Sequence, residues 1–285
     1  MPERQPQPDT EIFALDKRRL RAHFGRAAAT YDAAAVLQRE IANRMLARLD
    51  VVKQIPAIVL DAGCGTGYCA QVLARRYRSA RIIGIDLAAP MAARARRAAG
   101  WFARSRFVCG DLEAMPLPAA SVDLAVSNLT LQWCDLTRAL AELRRVLRPG
   151  GLLMFTSFGP DTLDELRRAW HAADAGVHVH AFIDMHDIGD ALLRAGFADP
   201  VMDVDRLTVT YGDVEQVVRD LKALGASNAA HGRARGLTGK SRYARFKAAY
   251  QALARDGRIP ATYEVVYGHA WVSEAAPVKF VRGPR

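Results

Sequence analysis

Short apolar runs alternate with stretches of helical periodicity between about residue 34 and residue 174. Apolar runs bounded by turn residues are typical of strands that are buried on both faces of a parallel sheet. The clearest predicted strands are "AIVLDAG" (57–63), "ARIIGID" (80–86), "VDLAVSN" (122–128) and "GLLMFTSF" (151–158), and "SRFVCGD" (105–111) is a weaker one. The predicted helices are 34–49, 67–77, 88–99, 135–147 and 160–174. This alternation indicates βαβ units and a doubly wound α/β fold.

The pattern changes after Phe197. "PVMDVDRLTVTY" (200–211) and "ATYEVVYGHAWV" (261–272) alternate apolar and polar residues, which predicts half-exposed edge strands. Two helical stretches, 213–224 and 241–255, lie between them and are joined by a glycine-rich basic loop. An insertion of about 50 residues is too long for a turn, so we expect it to pack as a helical cap.

Composition places the chain among globular enzymes, with 51% hydrophobic and 25% charged residues. No apolar stretch approaches the roughly 18 residues that would indicate a membrane span. The first residues, "MPERQPQPDTEIFALDKRRLRAHF", contain four acidic side chains and no apolar centre, unlike a signal or transit peptide. We therefore expect a cytoplasmic protein without a membrane partner, preceded by a disordered lead-in over residues 1–12.

The four cysteines are Cys64, Cys69, Cys109 and Cys134. They form no Cys-x-x-Cys pair, and no histidine stands beside them at ligand spacing, so we expect free thiols and no metal site. The net charge of +10 leaves several partners open. Nucleic acid, an anionic membrane or an acidic protein would each suit a basic chain, and an arginine-rich composition alone would also produce the excess.

The stretch "LDAGCGTGY" (60–68) follows the first predicted strand and predicts a ligand-binding turn. Its spacing is Gly63-x-Gly65-x-Gly67, one residue shorter than the dinucleotide pattern G-x-G-x-x-G. Asp61 stands just before the turn, where an anionic pyrophosphate would gain nothing from a carboxylate. A cofactor with a cationic amino group and a sulfonium would gain from it.

Acidic residues also end the next two strands. Asp86 can accept hydrogen bonds from both hydroxyls of a ribose, Asp111 can accept one from an adenine amino group, and Leu112 can flank the ring. Asn128 follows the fourth strand, where its backbone carbonyl can face the cofactor amino group. Gln38 either reaches the cofactor carboxylate or is an exposed helical glutamine.

Together these features resemble the class I S-adenosylmethionine-dependent methyltransferases. The resemblance implies a Rossmann-like, seven-stranded, mostly parallel sheet with N-terminal helices (13–50) and a helical cap (212–260) between the last two strands, all in one domain over residues 13–285. It implies S-adenosylmethionine as the cofactor and no metal. The implied cofactor-binding residues are Asp61, Gly63, Gly65, Gly67, Asp86, Leu87, Asp111, Leu112, Asn128 and Gln38.

Most of the chain resembles one family, the malonyl-[acyl-carrier protein] O-methyltransferases of biotin synthesis. The segments that carry the resemblance are "FGRAAATYDAAAVLQREIA" (24–42), "NLTLQWCD" (128–135), "FTSFGPDTLDELRRAW" (155–170), "LKALGASNAAHGRARGLTGKSRYARF" (221–246) and "ATYEVVYGHAW" (261–271). The last three are the specific ones, because they lie outside the shared cofactor fold. The resemblance implies that the chain methylates the free carboxyl of a malonyl thioester carried on acyl-carrier protein.

Such a reaction needs little catalytic machinery, because a malonyl carboxylate is already ionised at neutral pH. No residue is a certain catalyst, and the positioning candidates are Tyr31, Arg167 and Arg206. An arginine would suit the malonyl carboxylate through bidentate hydrogen bonding. We further expect Trp133 to form a pocket wall, His178 and His180 to lie in a solvated loop, and His269 to be structural.

The basic excess would suit an acidic carrier, and the arginines expected near the cap are Arg167, Arg168, Arg206, Arg233, Arg235 and Arg242. The chain is expected to act as a monomer without nucleic acid. Alternatives are an arginine hydroxylase relative that assists assembly of respiratory complex I, and a quinone or other small-molecule C-methyltransferase. A nucleic-acid methyltransferase would show a catalytic Cys or an Asn-Pro-Pro motif after the fourth strand, and "SNLTLQW" has neither. A non-enzymatic assembly protein also stays open.

Overall fold

A computed structural model of the chain describes residues 15–100, 104–226, 228–229 and 239–274. Its centre is a sheet with the strands β1 Ile58–Ala62, β2 Arg81–Asp86, β3 Ser105–Cys109, β4 Val122–Asn128, β5 Leu147–Phe158, β6 Phe197–Tyr211 and β7 Ile259–Val272. The order is β3-β2-β1-β4-β5-β7-β6. Strands β1 to β5 are parallel, and β7 runs antiparallel to both β5 and β6. The predicted seven-stranded, mostly parallel α/β fold is confirmed.

Helices cover both faces of this sheet, because its central strands are apolar on both sides. They are α1 Lys17–Ala27, α2 Tyr31–Ala34, α3 Val36–Ala47, α4 Tyr68–Arg76, α5 Ala89–Ala99, α6 Leu136–Val146, α7 Asp164–His171, α8 Met185–Arg194, α9 Val214–Ala223 and α10 Lys240–Gln251. Adjacent residues of β1 face opposite cores: Val59 packs in the same cluster as Leu73 of α4, and Leu60 packs with Leu140 of α6. The fold is therefore a three-layer α/β/α arrangement.

The topology puts a binding crevice at the centre of the sheet. β1 lies between β2 and β4, so the chain leaves β1 towards one side and reaches β4 from the other. The connections after β1 and β4 diverge there, and ligands of open α/β sheets bind outside such strand ends. The glycine turn follows β1 at this point.

Several predicted elements needed correction. The 261–272 segment is no edge strand: β7 pairs on both sides, and only β6 lies at that edge. The predicted helix 160–174 is shorter, because α7 occupies only Asp164–His171. Helix α8 was missed, although Asp184 caps it by accepting a hydrogen bond from the backbone N–H of His186 at 2.8 Å.

The two helices between β6 and β7 pack into the main core. Val217 of α9 and Phe246 and Tyr250 of α10 belong to the same buried cluster as the residues of α3 and α4 on that face. Helix α10 packs on α7, and α9 contacts α2. The predicted lead-in, residues 1–12, lies outside the described residues. No described helix is long and apolar enough to cross a membrane.

Candidate functional site

The glycine turn after β1 brings the backbone close to open space. Gly63 and Gly65 have φ angles of +80° and +51°, which favour glycine. A Cβ at Gly63 would lie 2.1 Å from Oγ1 of Thr130, so no side chain fits there. At Gly65 the nearest atom to such a Cβ is a ring carbon of Tyr31 at 4.0 Å. A ligand can therefore approach the backbone at Gly65.

The third glycine has a different task. A Cβ at Gly67 would lie 2.9 Å from the Cβ of Ala95, so Gly67 lets the turn pack closely on α5. Gly67 does not line the cavity in front of the turn. Its predicted role in binding the cofactor is therefore limited to shaping the turn.

Asp86 at the end of β2 is held by two backbone groups. Its Oδ2 accepts from the N–H of Gly65 at 2.9 Å, and its Oδ1 accepts from the N–H of Ala88 at 2.8 Å. Burial raises the pKa of this carboxyl to about 6. Each carboxylate oxygen can accept a second hydrogen bond, so the fixed carboxylate fits a ribose diol.

Asp61 is 1% exposed and lies in the last part of β1. Its Oδ2 accepts from the N–H of Ala70 in the first turn of α4 at 2.8 Å. Burial, and then the charge of Asp86, raise the pKa of Asp61 to about 7. No described cation is paired with either of these two buried carboxylates, so they favour binding of a positively charged group, which would stabilise their ionised forms.

Asp111 is paired with a residue that sequence reasoning missed. Nζ of Lys17 in α1 lies 2.7 Å and 2.6 Å from its two carboxylate oxygens, and 2.7 Å from Glu113. Burial alone would raise the pKa of Asp111, but the hydrogen bonds from Lys17 and from the N–H of Glu113 lower it. Asp111 is therefore an ionised acceptor. No local pattern links Lys17 to a partner 94 positions away.

One cavity gathers most of the predicted cofactor residues, and we call it the main cavity. Its volume is about 110 Å³. Eight of the ten predicted residues line it, namely Gln38, Gly63, Gly65, Asp86, Leu87, Asp111, Leu112 and Asn128. Asp61 lines an adjoining cavity of about 230 Å³, which shares Tyr31, Gln38 and Asn128 with the main one. The described residues contain no group of three or more His, Cys, Asp or Glu that could hold a metal ion.

The residue types of these cavities fit S-adenosylmethionine. Buried carboxylates suit a cationic amino group and a diol, and the open space in front of Gly65 lets a ligand approach the backbone. Leu112 is 3% exposed and provides an apolar wall beside Asp111. Tyr31 faces Gly65 across the opening, and its burial, with the nearby charge of Asp86, raises its pKa.

A further cavity of about 240 Å³ lies beside the main one, and we call it the aromatic cavity. It is lined by residues from α7, the 177–182 loop, α9 and β7. The ring of Phe158 lies 5.4 Å from Tyr263 and 5.8 Å from Phe182, while Trp170 stacks on His178 at 3.8 Å. Trp133 lines both cavities, which agrees with its predicted place in a pocket wall.

The two histidines of "GVHVH" are not solvated, so that prediction was wrong. His180 is 5% exposed and lies between Trp133 at 4.6 Å and Phe182 at 4.5 Å. Burial, and then the charge of Arg167, lower the pKa of His180 to about 4, so the ring is neutral near pH 7. Nε2 of His178 lies 2.7 Å from Asp174. Polar residues in a loop gave no sign that aromatic rings from distant elements would enclose them.

The predicted positioning arginines are not in either cavity wall. Nη2 of Arg167 donates to the carbonyls of Pro160 and Thr162 at 2.9 Å and 2.7 Å, so Arg167 clamps its own loop. Arg206 has a side chain 65% exposed and pairs with Asp161. These contacts correct the expectation that either guanidinium lines the pocket.

The other arginines are exposed or lie outside the described residues. Arg168 is paired with Asp164 at 3.7 Å, and Arg242 with Asp174 at 3.3 Å, beside His178. Arg233 and Arg235 lie outside the described residues. His269 is on β7 and lines a separate cavity with Tyr267, which is consistent with its structural interpretation.

The sheet order, the glycine turn and the carboxylates of β1 and β2 define a class I S-adenosylmethionine-dependent methyltransferase. Residues 60–155 match the family described as Methyltransferase domain. The chain is 56% identical to the malonyl-[acyl-carrier protein] O-methyltransferase of Laribacter hongkongensis, over 94% of this chain and 93% of that protein. The protein of the same name from Methylovorus sp. is 54% identical, over 93% and 92%. The chain belongs to the malonyl-[acyl-carrier protein] O-methyltransferase family.

Solved structures with low sequence identity share the fold. The YcgJ protein of Bacillus subtilis superposes with a TM-score of 0.59 at 15% identity, over 82% of this chain and 99% of that one. Phosphoethanolamine N-methyltransferase 2 of Haemonchus contortus, solved with S-adenosylhomocysteine, gives a TM-score of 0.50 at 18% identity, over 81% and 52%. At these identities the likeness shows the fold alone.

Proposed function

We propose that this chain methylates the free carboxyl of malonyl-[acyl-carrier protein], with S-adenosylmethionine as the methyl donor. The observation that carries the proposal is the meeting of two cavities of different chemistry. The main cavity has fixed carboxylates, whereas the aromatic cavity beside it is lined mainly by apolar and aromatic side chains. A cationic cofactor suits the first, and the acyl end of a carrier arm suits the second.

The cofactor would be held by groups at the strand ends. Asp86 would accept from the ribose hydroxyls, Asp111 from the adenine amino group, and the leucines Leu87 and Leu112 would flank the ring. Asp61 would favour the cationic methionine end through its charge. When bound, S-adenosylmethionine supplies an electrophilic methyl group on a sulfonium sulfur.

The chain's own contribution would be positioning. The malonyl carboxylate is ionised at neutral pH, so no residue has to remove a proton before it reacts. Holding the reactants in line can lower the barrier by roughly 7–11 kcal/mol in favourable systems. The buried, neutral His180 and the rings around it would exclude water from the acyl end.

An acidic carrier would dock beside the aromatic cavity. The exposed Arg206 and Arg242, with Lys222 at the cavity wall, supply positive charge on that side. A carrier delivers its acyl group on a long arm, so a small contact with opposite charge is enough for encounter and selectivity. Under this proposal the enzyme acts in the cytoplasm as a monomer and needs no nucleic acid. Light scattering of the purified protein would check the monomeric state.

Methyl transfer from radiolabelled S-adenosylmethionine tests the proposal directly. We expect label on malonyl-acyl-carrier protein, and none on the apo carrier or the acetyl carrier, which lacks the free carboxyl. Label on a quinone, or no label on malonyl carrier, would contradict it. The relatives that match over nine-tenths of the chain share one name, which favours this function over the hydroxylase-like and quinone alternatives.

A further inference from the structure

Methyl transfer requires the two reactants to meet where their cavities meet. Five residues line both the main and the aromatic cavity, namely Gln38, Trp133, Phe158, Leu224 and Ala226. Three of them have purely apolar side chains. The amide of Gln38 and the indole N–H of Trp133 are thus the side-chain hydrogen-bond donors at this junction.

We propose that Gln38 and Trp133 hold the malonyl carboxylate at the junction through two neutral hydrogen bonds. The inference rests on the proposed function, because it assigns residues to that substrate. It moves Gln38 from the cofactor carboxylate, where sequence reasoning placed it, to the substrate.

The backbone of Gln38 is held in place, whereas the oxygen of its side-chain amide has no partner among the described residues. Its backbone carbonyl accepts from Nδ2 of Asn128 at 3.1 Å, and Oδ1 of Asn128 accepts from the hydroxyl of Thr156 at 2.8 Å. These bonds tie α3 to β4 and β5 at the junction. The Oε1 atom of Gln38 is buried without a hydrogen bond. An unpaired buried amide is costly, and it can turn either its oxygen or its N–H to a ligand.

Trp133 is held by ring contacts and not by its N–H. The edge of the indole meets Phe24 at 5.4 Å between ring centroids, and His180 packs on it at 4.6 Å. No described residue accepts a hydrogen bond from its indole nitrogen. The ring is therefore oriented, and its donor is available to a ligand.

Neutral donors suit this reaction better than a cation. A guanidinium that pairs with both carboxylate oxygens would draw negative charge from the oxygen that attacks the methyl group. Neutral N–H donors leave more negative charge on that oxygen. Arg167 bonds to backbone carbonyls instead, and His180 is neutral. Lys222 lines the aromatic cavity but not the main one.

The test compares Gln38→Met and Trp133→Phe with wild type. Each substitution keeps bulk and removes the donor. Gln251→Met on the exposed end of α10, and Trp271→Phe near the end of β7, in a cavity separate from the junction, are matched controls that should keep wild-type kinetics. We measure kcat/KM on malonyl carrier, the Kd of S-adenosylhomocysteine, and the binding of malonyl carrier and its methyl ester to the enzyme with S-adenosylhomocysteine bound.

Loss of a hydrogen bond to a charged group should lower kcat/KM by about tenfold to hundredfold in each variant. Malonyl carrier should bind more weakly by a similar factor, whereas binding of the neutral methyl ester and of S-adenosylhomocysteine should change less than about threefold. Equal weakening of malonyl carrier and ester would indicate a merely structural role. Weaker S-adenosylhomocysteine binding by Gln38→Met would assign Gln38 to the cofactor. Either result, or a loss confined to one variant, overturns the proposal.

Thermal denaturation would show whether a variant has failed to fold, and a further variant of Gln38 keeps the proposal testable in that case. Gln38→Glu has the same size as wild type and places a negative charge beside the carboxylate. It should lose more activity than Gln38→Met, and a smaller loss would refute the proposal. Failure of wild type to methylate malonyl carrier, with normal binding of S-adenosylhomocysteine, would instead reject the proposed function.

Discussion

The two sides of the site are built in different ways. On the cofactor side, residues 60–112 supply the glycine turn and the three carboxylates, and backbone N–H groups fix Asp61 and Asp86. On the acyl side, rings from separate parts of the chain meet, as Trp133 does with His180 and Phe158 with Tyr263. One side presents fixed charges, whereas the other presents mainly apolar and aromatic surface.

The difference has a chemical consequence. Buried carboxylates favour a cationic donor in the main cavity, while, on our proposal, the neutral Gln38, Trp133 and His180 would leave the substrate carboxylate its charge. Attraction between cofactor and substrate then comes from their own opposite charges, which count for more in a low-dielectric cavity. Variants on the cofactor side should therefore change the Kd of S-adenosylhomocysteine, and variants on the acyl side should change the kinetics with malonyl carrier.

The largest expected effect is on the cofactor side. Asp86→Ala removes the acceptor for two ribose hydroxyls, and hydrogen bonds to a charged group are worth about 1.5–3 kcal/mol each. The Kd of S-adenosylhomocysteine, measured by calorimetry, should rise by at least about a hundredfold. Asp123→Ala is the matched control, because Asp123 also accepts from two backbone N–H groups, those of Ala57 and Ile58, at the opposite end of β1. Unchanged affinity in Asp86→Ala would contradict the assignment.

The pH dependence of cofactor binding should be the next largest effect. The pKa of Asp61 is raised to about 7 and that of Asp86 to about 6, so both carboxyls take up protons as pH falls towards 5.5. Affinity for S-adenosylhomocysteine should fall by roughly tenfold or more between pH 7.5 and 5.5. Asp61→Asn should flatten the profile, and an equally steep profile in that variant would count against the role of Asp61.

The same groups should affect stability in the opposite sense. Because their folded pKa values exceed the ordinary value near 4, the fold without cofactor binds more protons than the unfolded chain between about pH 4 and 7. Asp61 and Asp86 should thus lower the free energy of unfolding as pH rises through about 6 and 7. Asp61→Asn should remove part of this slope in thermal denaturation, and a slope independent of both residues would contradict the burial argument.

A smaller effect is expected for carrier docking. Arg168 is exposed on α7, the helix whose Leu166 and Trp170 line the aromatic cavity. Arg168→Glu should raise the KM for malonyl carrier by about three- to tenfold at low salt, and less at physiological salt, where the screening length is about 8 Å. Arg194→Glu on α8 is a matched control, because Arg194 is also exposed and paired at i,i+4 with an acid, Asp190. A malonyl thioester mimic without carrier should show little response. Equal salt dependence for both substrates would argue against charge-guided docking.

The smallest effect concerns the contact between α1 and the cofactor side. Lys17→Met removes the ammonium that pairs with Asp111 and Glu113, and partly exposed pairs are worth about 0.2–1 kcal/mol. The Kd of S-adenosylhomocysteine should change by less than about fivefold. An increase in this Kd as large as that caused by Asp86→Ala would mean that Lys17 organises the adenine end. Asp111 would then not bind the adenine independently of Lys17.

The features that brought the predicted cofactor residues together are local in the sequence. A glycine turn after one strand and acids after the next two come together whenever parallel strands end at one edge of a sheet. Seven of the eight predicted residues that line the main cavity lie there for that reason, and the eighth, Gln38, comes from α3. The alternation of strands and helices likewise predicted the doubly wound α/β fold, since burial on both faces leaves a direct apolar signal. The number of strands, seven, followed from the family resemblance.

Only the tertiary structure decided the acyl side. Residues 261–272 alternate as an edge strand would, yet β7 is enclosed by β5 and β6, because period-two patterns do not specify how many neighbours a strand has. His180 is enclosed by rings 47 and two positions away in the chain, at Trp133 and Phe182. Side chains so far apart acquire their burial, charge state and partners only when packing joins them. The sequence alone therefore determined the class of fold and the cofactor turn, whereas long-range packing decided which polar groups meet where the two cavities join.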